Sequence, residues 1–432
     1  MLLEFKTKNF KSFADETTFT MLAAPKQKGL DYSLCAIKNS RTAKGLCSSV
    51  IYGPNAAGKT NIICAMDVLK SILLRGNIRN APVESLPNPA AVALQLIPNN
   101  SFDAPVPVCF SIDFLEKDYR IQYELQLDLG TFLDVDYPRK VLEEKLLINE
   151  ELVFHRNNSL EIGNLSFLEN ETGYLAKMEQ IAKRSLDPQE LFLTNGFKSI
   201  YSQQKANLIS DWFTQKFMVF YRTDTMRFIG HFANLQENTV YVEKTINEAA
   251  KLFGISSNAL GHIVDREDSK PKLCSLFSRK SKAVLAEIFE SYGTIRFINM
   301  FPLVIRAILT GGTLVVDEFD ASIHPMALMN IINIFHNDEI NKKHAQLIFN
   351  THNPIFLNPN LFRRDEIKFV ERDEETHKSI LYSLSDFGTA GENGVRKNED
   401  YMKNYFISRY GAIKNIDLTP IFEEIQAENI EV

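Results

Sequence analysis

The chain has 432 residues, which at about 150 residues per domain leaves room for two or three domains. With 45% hydrophobic and 24% charged residues it has the composition of an ordinary globular protein, which excludes disordered, collagenous and fibrous classes. Lys plus Arg number 48 against 54 Asp plus Glu, so the formal charge of −6 leaves no whole-molecule basic field for nucleic acid, only room for a local patch. The cysteines (Cys35, Cys47, Cys64, Cys109, Cys274) are odd in number and contain no C-x-x-C pair, which argues against a disulfide framework and a structural zinc site. No apolar run reaches the roughly eighteen residues of a membrane span, and a start carrying Glu4, Lys6 and Lys8 does not read as a signal peptide. The expectation is a soluble, cytoplasmic protein with no membrane partner.

Residues Leu2 to Phe10 alternate apolar and polar, and Phe19 to Leu22 form a second short run, which predicts a pair of edge strands. A strand at Val50-Ile51-Tyr52 then enters Gly53 to Thr60, and Ile62, Met66, Leu69 and Leu73 behind it define one face of a helix. Pro82, Pro87, Pro89, Pro98 and Pro105 mark an irregular connection. From Val108 to Phe154 the period is two, which predicts an antiparallel meander and an inserted β lobe over 96–165. Helical spacing around Leu208, Trp212, Phe213 and Phe217, and again around Val284, Leu285, Ile288 and Phe289, predicts a helical insertion over 166–285. A helix through Ile298, Phe301, Ile305 and Ile308, an apolar strand Thr313 to Val316, another helix and an apolar strand Gln346 to Phe349 then resume an α/β pattern. The expected domains are therefore a nucleotide-binding half at 1–95, the two insertions, and a second half at 286–432.

Gly53-Pro54-Asn55-Ala56-Ala57-Gly58-Lys59-Thr60 fits G-x-x-x-x-G-K-T, with the strand before and the helix after that the motif requires. In such a loop residues 53 to 61, Asn61 included, surround phosphate oxygens at the positive end of a helix, with every backbone N–H free to turn inward except at Pro54, which has none. Lys59 neutralises the β and γ phosphates of ATP, and Thr60 ligates Mg²⁺. The metal also needs a carboxylate, and Asp317 ends the apolar strand Leu314-Val-Val, with Glu318 next to it placed to act as general base on water. His352 follows the next apolar strand, from which an imidazole can reach a γ phosphate. Upstream, Ser291-Tyr292-Gly293-Thr294 opens a helix, and its hydroxyl and amides make a second anion grip. A single chain has little use for two phosphate grips. The economical arrangement is a head-to-tail homodimer in which the second grip closes on the ATP of the other copy.

This ordered set, together with Asp320-Ala321-Ser322-Ile-His324-Pro325 and Thr351-His352-Asn353, resembles the ABC-type ATPases of the SMC/RecF group. More closely the chain is similar to the AAA-family ATPases of bacterial anti-phage operons, relatives of the abortive-infection, Septu and OLD ATPase subunits. That likeness extends to Asn9-Phe-Lys-Ser-Phe13, Asp211-Trp-Phe213 and Tyr405 to Ala412. The resemblance implies an α/β, P-loop, ABC-type nucleotide-binding domain with a mixed sheet. It makes Ser291 to Thr294 the signature acting in trans, and Asp320, Ala321, Ser322 and His324 the D-loop at the dimer interface. The signature departs from the transporter Leu-Ser-Gly-Gly, zinc-hook cysteines are missing, and Gln95 is the one candidate for a glutamine loop.

The residues support an Mg²⁺-dependent ATPase that dimerises around ATP, and the resemblance implies that it serves as sensor and regulatory subunit of an anti-phage complex. The output would lie in a separate effector, a nuclease or toxin, because the histidines form no H-x-x-x-H pair and no set of convergent carboxylates stands outside Asp317 and Glu318. Two alternatives are a RecF-type DNA-repair clamp and an ATP-bound scaffold that holds an effector inactive. Lys270, Lys272, Arg279, Lys280 and Lys282 form a candidate nucleic-acid patch, diluted by Asp265, Glu267 and Asp268.

Overall fold

Buried apolar strands dominate the observed architecture, and their order decides which loops meet. The structure, a computed structural model, describes residues 1–25, 27–37, 42–79, 95–134, 136–163, 165, 175–184, 186–221, 240–241, 244–252, 259–264, 271–277, 282–389, 394–397, 399–414 and 416–427. The strands in the first half are β1 (Leu2–Lys8), β2 (Thr17–Thr20), β3 (Leu34–Ala36), β4 (Lys44–Leu46), β5 (Ser48–Tyr52), β6 (Val108–Glu116), β7 (Tyr119–Asp128), β8 (Lys140–Ile148), β9 (Glu151–Arg156) and β10 (Leu160–Ile162). Those of the second half are β11 (Phe217–Phe220), β12 (Val240–Tyr241), β13 (Ala259–Val264), β14 (Pro271–Phe277), β15 (Lys282–Leu285), β16 (Thr313–Val316), β17 (Gln346–Asn350), β18 (Ile367–Arg372) and β19 (Ser379–Ser383).

A 6-stranded sheet runs β11-β16-β17-β5-β18-β19, parallel except for the antiparallel edge strand β19. Its strands alternate cleanly between two cores, as the two-residue period of a strand requires. Ile51, Val315, Ile348 and Val370 join the helix Lys59–Arg75 and the residues Phe5, Phe110 and Tyr123 of a second sheet in one apolar cluster. Val50, Tyr52, Leu314, Val316, Leu347 and Phe349 join helices Tyr292–Thr310, Pro325–Phe335 and Tyr401–Phe406 in the other. The helix Lys59–Arg75 thus lies between two sheets. It stops where Gly76 takes a left-handed φ of 72° and donates its N–H to Ile72 O at 2.8 Å. The helix Tyr292–Thr310 is long and apolar enough to cross a membrane by length and composition, but Phe297, Ile298, Leu303 and Val304 are buried in the second core.

The second sheet has 7 strands in the order β10-β9-β8-β7-β6-β1-β2, all antiparallel neighbours. The meander expected after Val108 is therefore present, but it continues the sheet begun by β1 and β2 instead of standing apart as a lobe. β1 is correspondingly an interior strand, and only β2 of that pair lies at an edge. Gln346 fastens β1 to the other sheet: Leu2 N donates to its Oε1 at 2.7 Å, and its Nε2 donates to Leu2 O at 3.0 Å.

The stretch 166–285 departs most from expectation. It holds the helices Leu175–Arg184, Gln203–Asp211 and Lys244–Leu252, but also β11 of the nucleotide sheet and a 4-stranded antiparallel sheet β12-β13-β14-β15. Phe217, expected on a helix face, opens β11 beside β16, and Val284 and Leu285 end β15, while Ile288 and Phe289 belong to the short helix Ala286–Phe289. The physical reason is that four consecutive apolar residues such as Phe217-Met-Val-Phe220 suit a strand buried on both faces as well as one face of a helix. Trp212 packs between Phe114 and Phe217, with ring centroids at 3.9 and 4.9 Å, and anchors the turn that delivers β11.

Candidate nucleotide site

In the 6-stranded sheet β17 lies between β5 and β16, so the segments after all three strands emerge at one carboxyl edge, where ligands of open α/β sheets bind. After β5 the chain turns through Gly53, Pro54, Asn55, Ala56, Ala57 and Gly58 into the helix at Lys59. Gly53 (φ 155°) lies against Val370 O, 2.2 Å from where a Cβ would stand. Gly58 (φ 113°) has Ser12 Oγ and Ser379 Oγ each 2.7 Å from that point, so no side chain fits at either place. Ala56 also adopts a left-handed φ of 62°. The loop is gripped from two sides: Ser379 Oγ donates to Ala57 O at 2.6 Å, Asn61 Nδ2 donates to Ser12 Oγ at 2.8 Å, and Ser379 N donates to Ser12 O at 2.7 Å. Ser379 was not legible as a site residue, because a serine in an edge strand has no distinguishing neighbour in sequence; Ser12 lies in the Asn9 to Phe13 stretch, which carried no site role by itself.

Lys59 folds over this loop and donates to Gly53 O at 2.7 Å and Pro54 O at 2.9 Å. Burial lowers its ammonium pKa to about 8, with the Asp317 and Glu318 carboxylates partly offsetting that cost. It is a buried cation whose partners are neutral carbonyls, which suits it to receive an anion.

Asp317 is buried one residue past β16, and its Oδ1 accepts from Thr60 Oγ1 at 3.0 Å and from Asn350 Nδ2 at 2.6 Å. Asn350 Oδ1 in turn accepts the Glu318 backbone N–H. This asparagine, the last residue of β17, bridges both acids of the Asp-Glu pair. Its signal in sequence was a polar residue closing a buried strand just before Thr351-His352. Glu318 is exposed and turns left-handed at φ 51°, so the chain bends as it leaves β16 and the two acids diverge, one inward and one outward. The Arg296 guanidinium donates to Glu318 O, which fixes this turn from the helix Tyr292–Thr310. His352 stands beside the cluster. Desolvation and then the Lys59 ammonium hold its imidazole below the usual range, against the opposing carboxylates of Asp320 and Asp317. Burial raises the Asp320 pKa, while the Thr351 hydroxyl, His352 and Arg296 counteract it. Thr60 and Asp317, a hydroxyl at a helix start and a buried carboxylate at a strand end already in contact, are a donor set that fits Mg²⁺.

The signature occupies a different setting. Ser291 caps the helix Tyr292–Thr310, its Oγ accepting the Thr294 N–H at 3.2 Å and lying 2.9 Å from Thr294 Oγ1. The Thr294 amide, expected to be free, is thus taken by the cap. Ser291 and Tyr292 are exposed. Gly293 abuts the D-loop: a Cβ there would come to 2.2 Å from Ser322 O, and Ser322 is itself left-handed at φ 63°. Asp320 and Ala321 form tight turns, with Ala321 N donating to Glu318 O and Ile323 N to Asp320 O, both at 3.1 Å. His324 Nδ1 accepts from Met326 N at 3.2 Å and caps the helix Pro325–Phe335. Gln95 Oε1 accepts from Lys11 Nζ at 3.2 Å, tying it to the turn after β1 and not to Thr60 and Asp317. Of the basic patch, Lys272 lies on β14 and Lys282 on β15; Lys270, Arg279, Lys280, Asp265, Glu267 and Asp268 lie outside the described residues.

Strand order, phosphate loop and acid pair together define the fold of an ABC-type P-loop ATPase. Residues 48–358 match the family described as "AAA domain, putative AbiEii toxin, Type IV TA system", and the chain belongs to that family. Among solved structures it is similar to the SMC head domain from Thermotoga maritima (13% identity, 88% of this chain and 98% of that chain, TM-score 0.35). It is also similar to a Smc head domain with a coiled coil and joint from Pyrococcus yayanosii (10% identity, 88% and 96%, TM-score 0.39). Comparison with curated proteins gives no match.

Proposed function

We propose that the chain is a cytoplasmic, Mg²⁺-dependent ATPase that closes as a head-to-tail homodimer on ATP and regulates a separate effector protein, a nuclease or toxin, in an anti-phage system. The observation that carries the ATPase reading is the Thr60–Asp317–Asn350–Glu318 chain of hydrogen bonds beside a buried Lys59. Lys59 would exchange the carbonyls of Gly53 and Pro54 for phosphate oxygens, gaining a charge-assisted partner in place of neutral ones. Thr60 and Asp317 would hold Mg²⁺, which supplies charge neutralisation on the phosphates. Glu318 is free of Asp317's hydrogen bonds and open to solvent, so it can take the proton of an attacking water, while Asn350 holds its backbone in place. His352, kept neutral, can donate or accept at the phosphate end of the cluster. The dimer reading is supported by the exposure of Ser291 and Tyr292 beside a D-loop packed on Gly293. The defence reading is supported by the toxin-system description that the family carries. The deciding experiment measures ATP turnover and sedimentation of purified chain with and without ATP. Turnover that rises more steeply than protein concentration, with a dimer in ATP, supports the reading; ATP binding without turnover by a monomer sinks it.

A further inference from the structure

Away from the nucleotide site, Cys35 on β3 and Cys47 directly after β4 place their Sγ atoms 2.7 Å apart. The hairpin register explains the approach. Cys35 pairs with Gly45, and Cys47 lies two residues further on the same face, which makes the two cysteines diagonal neighbours across the hairpin. His344 lies against Cys35 from the segment before β17. The hydrogen bond from the Cys47 thiol, and then His344, hold the Cys35 thiol down to about 6, while the same bond to Cys35 pushes the Cys47 thiol up. Cys35 also raises the His344 imidazole pKa, as expected of a thiolate–imidazolium contact. One sulfur is thus poised as nucleophile and the other as the thiol that resolves it. Cys64 accepts from Lys11 Nζ at 3.2 Å, Cys109 and Cys274 donate to the carbonyls of Pro107 and Lys272, and burial raises all three thiols.

We propose that Cys35 and Cys47 are a peroxide-modifiable pair that forms a reversible disulfide. The Cys35 thiolate attacks one oxygen of hydrogen peroxide, breaking the O–O bond; the sulfur is oxidised to a sulfenic acid, and the hydroxide released takes up a proton to become water. The Cys47 thiol then attacks the Cys35 sulfur, the S–S bond forms, and the sulfenic hydroxyl leaves with the Cys47 proton as a second water. In sum two thiols lose two electrons and two protons to one peroxide. The bond would staple the β3–β4 hairpin to the entry of β5, the strand that leads into the phosphate loop. Because both sulfurs are buried, a peroxide enters more readily than a bulky disulfide.

The test treats the full chain with hydrogen peroxide, then unfolds it in an alkylating reagent and maps peptides by mass. The expected product is a Cys35–Cys47 linked peptide, lighter than the two free thiols by about 2 Da and released by a dithiol, with Cys64, Cys109 and Cys274 fully alkylated. The half-exposed Cys109 is an internal control for simple accessibility. In Cys47→Ser, the sulfenic acid at Cys35 should persist and be trapped by a 1,3-dione. Recovery of Cys35 and Cys47 as free thiols while Cys109 is oxidised would overturn the proposal, as would irreversible oxidation of Cys35 without the link.

Discussion

The helices Lys59–Arg75 and Tyr292–Thr310 both begin at glycine-containing motifs, yet the chain surrounds their starts differently. The first is enclosed: Ser12 and Ser379 grip its loop, Asp317 meets Thr60, and Lys59 is buried over its own carbonyls. The second is open, with Ser291 and Tyr292 facing solvent and the D-loop packed beneath Gly293. A complete cradle stands at one helix start, and a bare cap stands at the other. The difference teaches which mutations should act within one chain and which should act only between copies.

The strongest separation should come from Glu318→Gln. Removing the proton acceptor should cut turnover by about 100- to 10,000-fold with ATP affinity kept, and ATP should then accumulate a larger species in light scattering. Wild-type turnover would exclude Glu318 as the base. Lys59→Ala should weaken ATP by roughly 100-fold in calorimetry, the equivalent of about 3 kcal/mol for a lost charged hydrogen bond. Asn350→Ala sharpens the enclosed side further. It strips one donor from Asp317 and the acceptor from the Glu318 amide, so we expect a loss of about 1–3 kcal/mol in stability and a larger drop in turnover than in ATP affinity.

On the open side, Gly293 is a poor probe of the interface. A side chain there meets Ser322 O within its own chain, so Gly293→Ala should shift the D-loop and lower the unfolding midpoint. Ser291→Arg is the cleaner test. The residue is exposed, so the change should cost no more than the lost cap on Thr294, about 0.5–2 kcal/mol, leave ATP binding by the single chain intact, and abolish the concentration dependence of turnover. Concentration-dependent turnover that survives this change would show that the open helix start does not face a second copy.

The enclosed site was largely legible because its residues carry chemistry in short order: Gly53 to Thr60, Asp317-Glu318 and His352 sit at strand ends that buried apolar runs announce. Arg296 and Ser379 were not, because each acts through a hydrogen bond to a residue distant in sequence and nothing local distinguishes it; Asn350 and Ser12 stand in recognisable stretches, but their partners, Asp317 and Asn61, lie far along the chain. The fold divides along the same line. β5, β16 and β17 hold short apolar runs that end in the phosphate loop, the acid pair and Thr351-His352, and they came out as expected. Phe217 to Phe220 gains its strand identity only from pairing with β16, and the meander after Val108 reveals its place only through the pairing of β6 with β1.

The smallest effect is a pH dependence confined to the enclosed site. Lys59 in the free protein titrates near 8, because burial outweighs the attraction of Asp317 and Glu318. Phosphate oxygens beside the ammonium would favour its charged form and raise that value. A group whose pKa rises on binding contributes fully below its free value, so ATP affinity should be level below about pH 8. Above that point binding must bring a proton with it, and affinity should fall by at most about tenfold per pH unit until the pKa of the bound state is passed. Calorimetry between pH 7 and 10 in buffers of different ionisation heat reads both the decline and the proton uptake. Equal affinity across that range, with no proton taken up, would mean that Lys59 does not meet the phosphates. The enclosed site would then owe its grip to backbone amides alone.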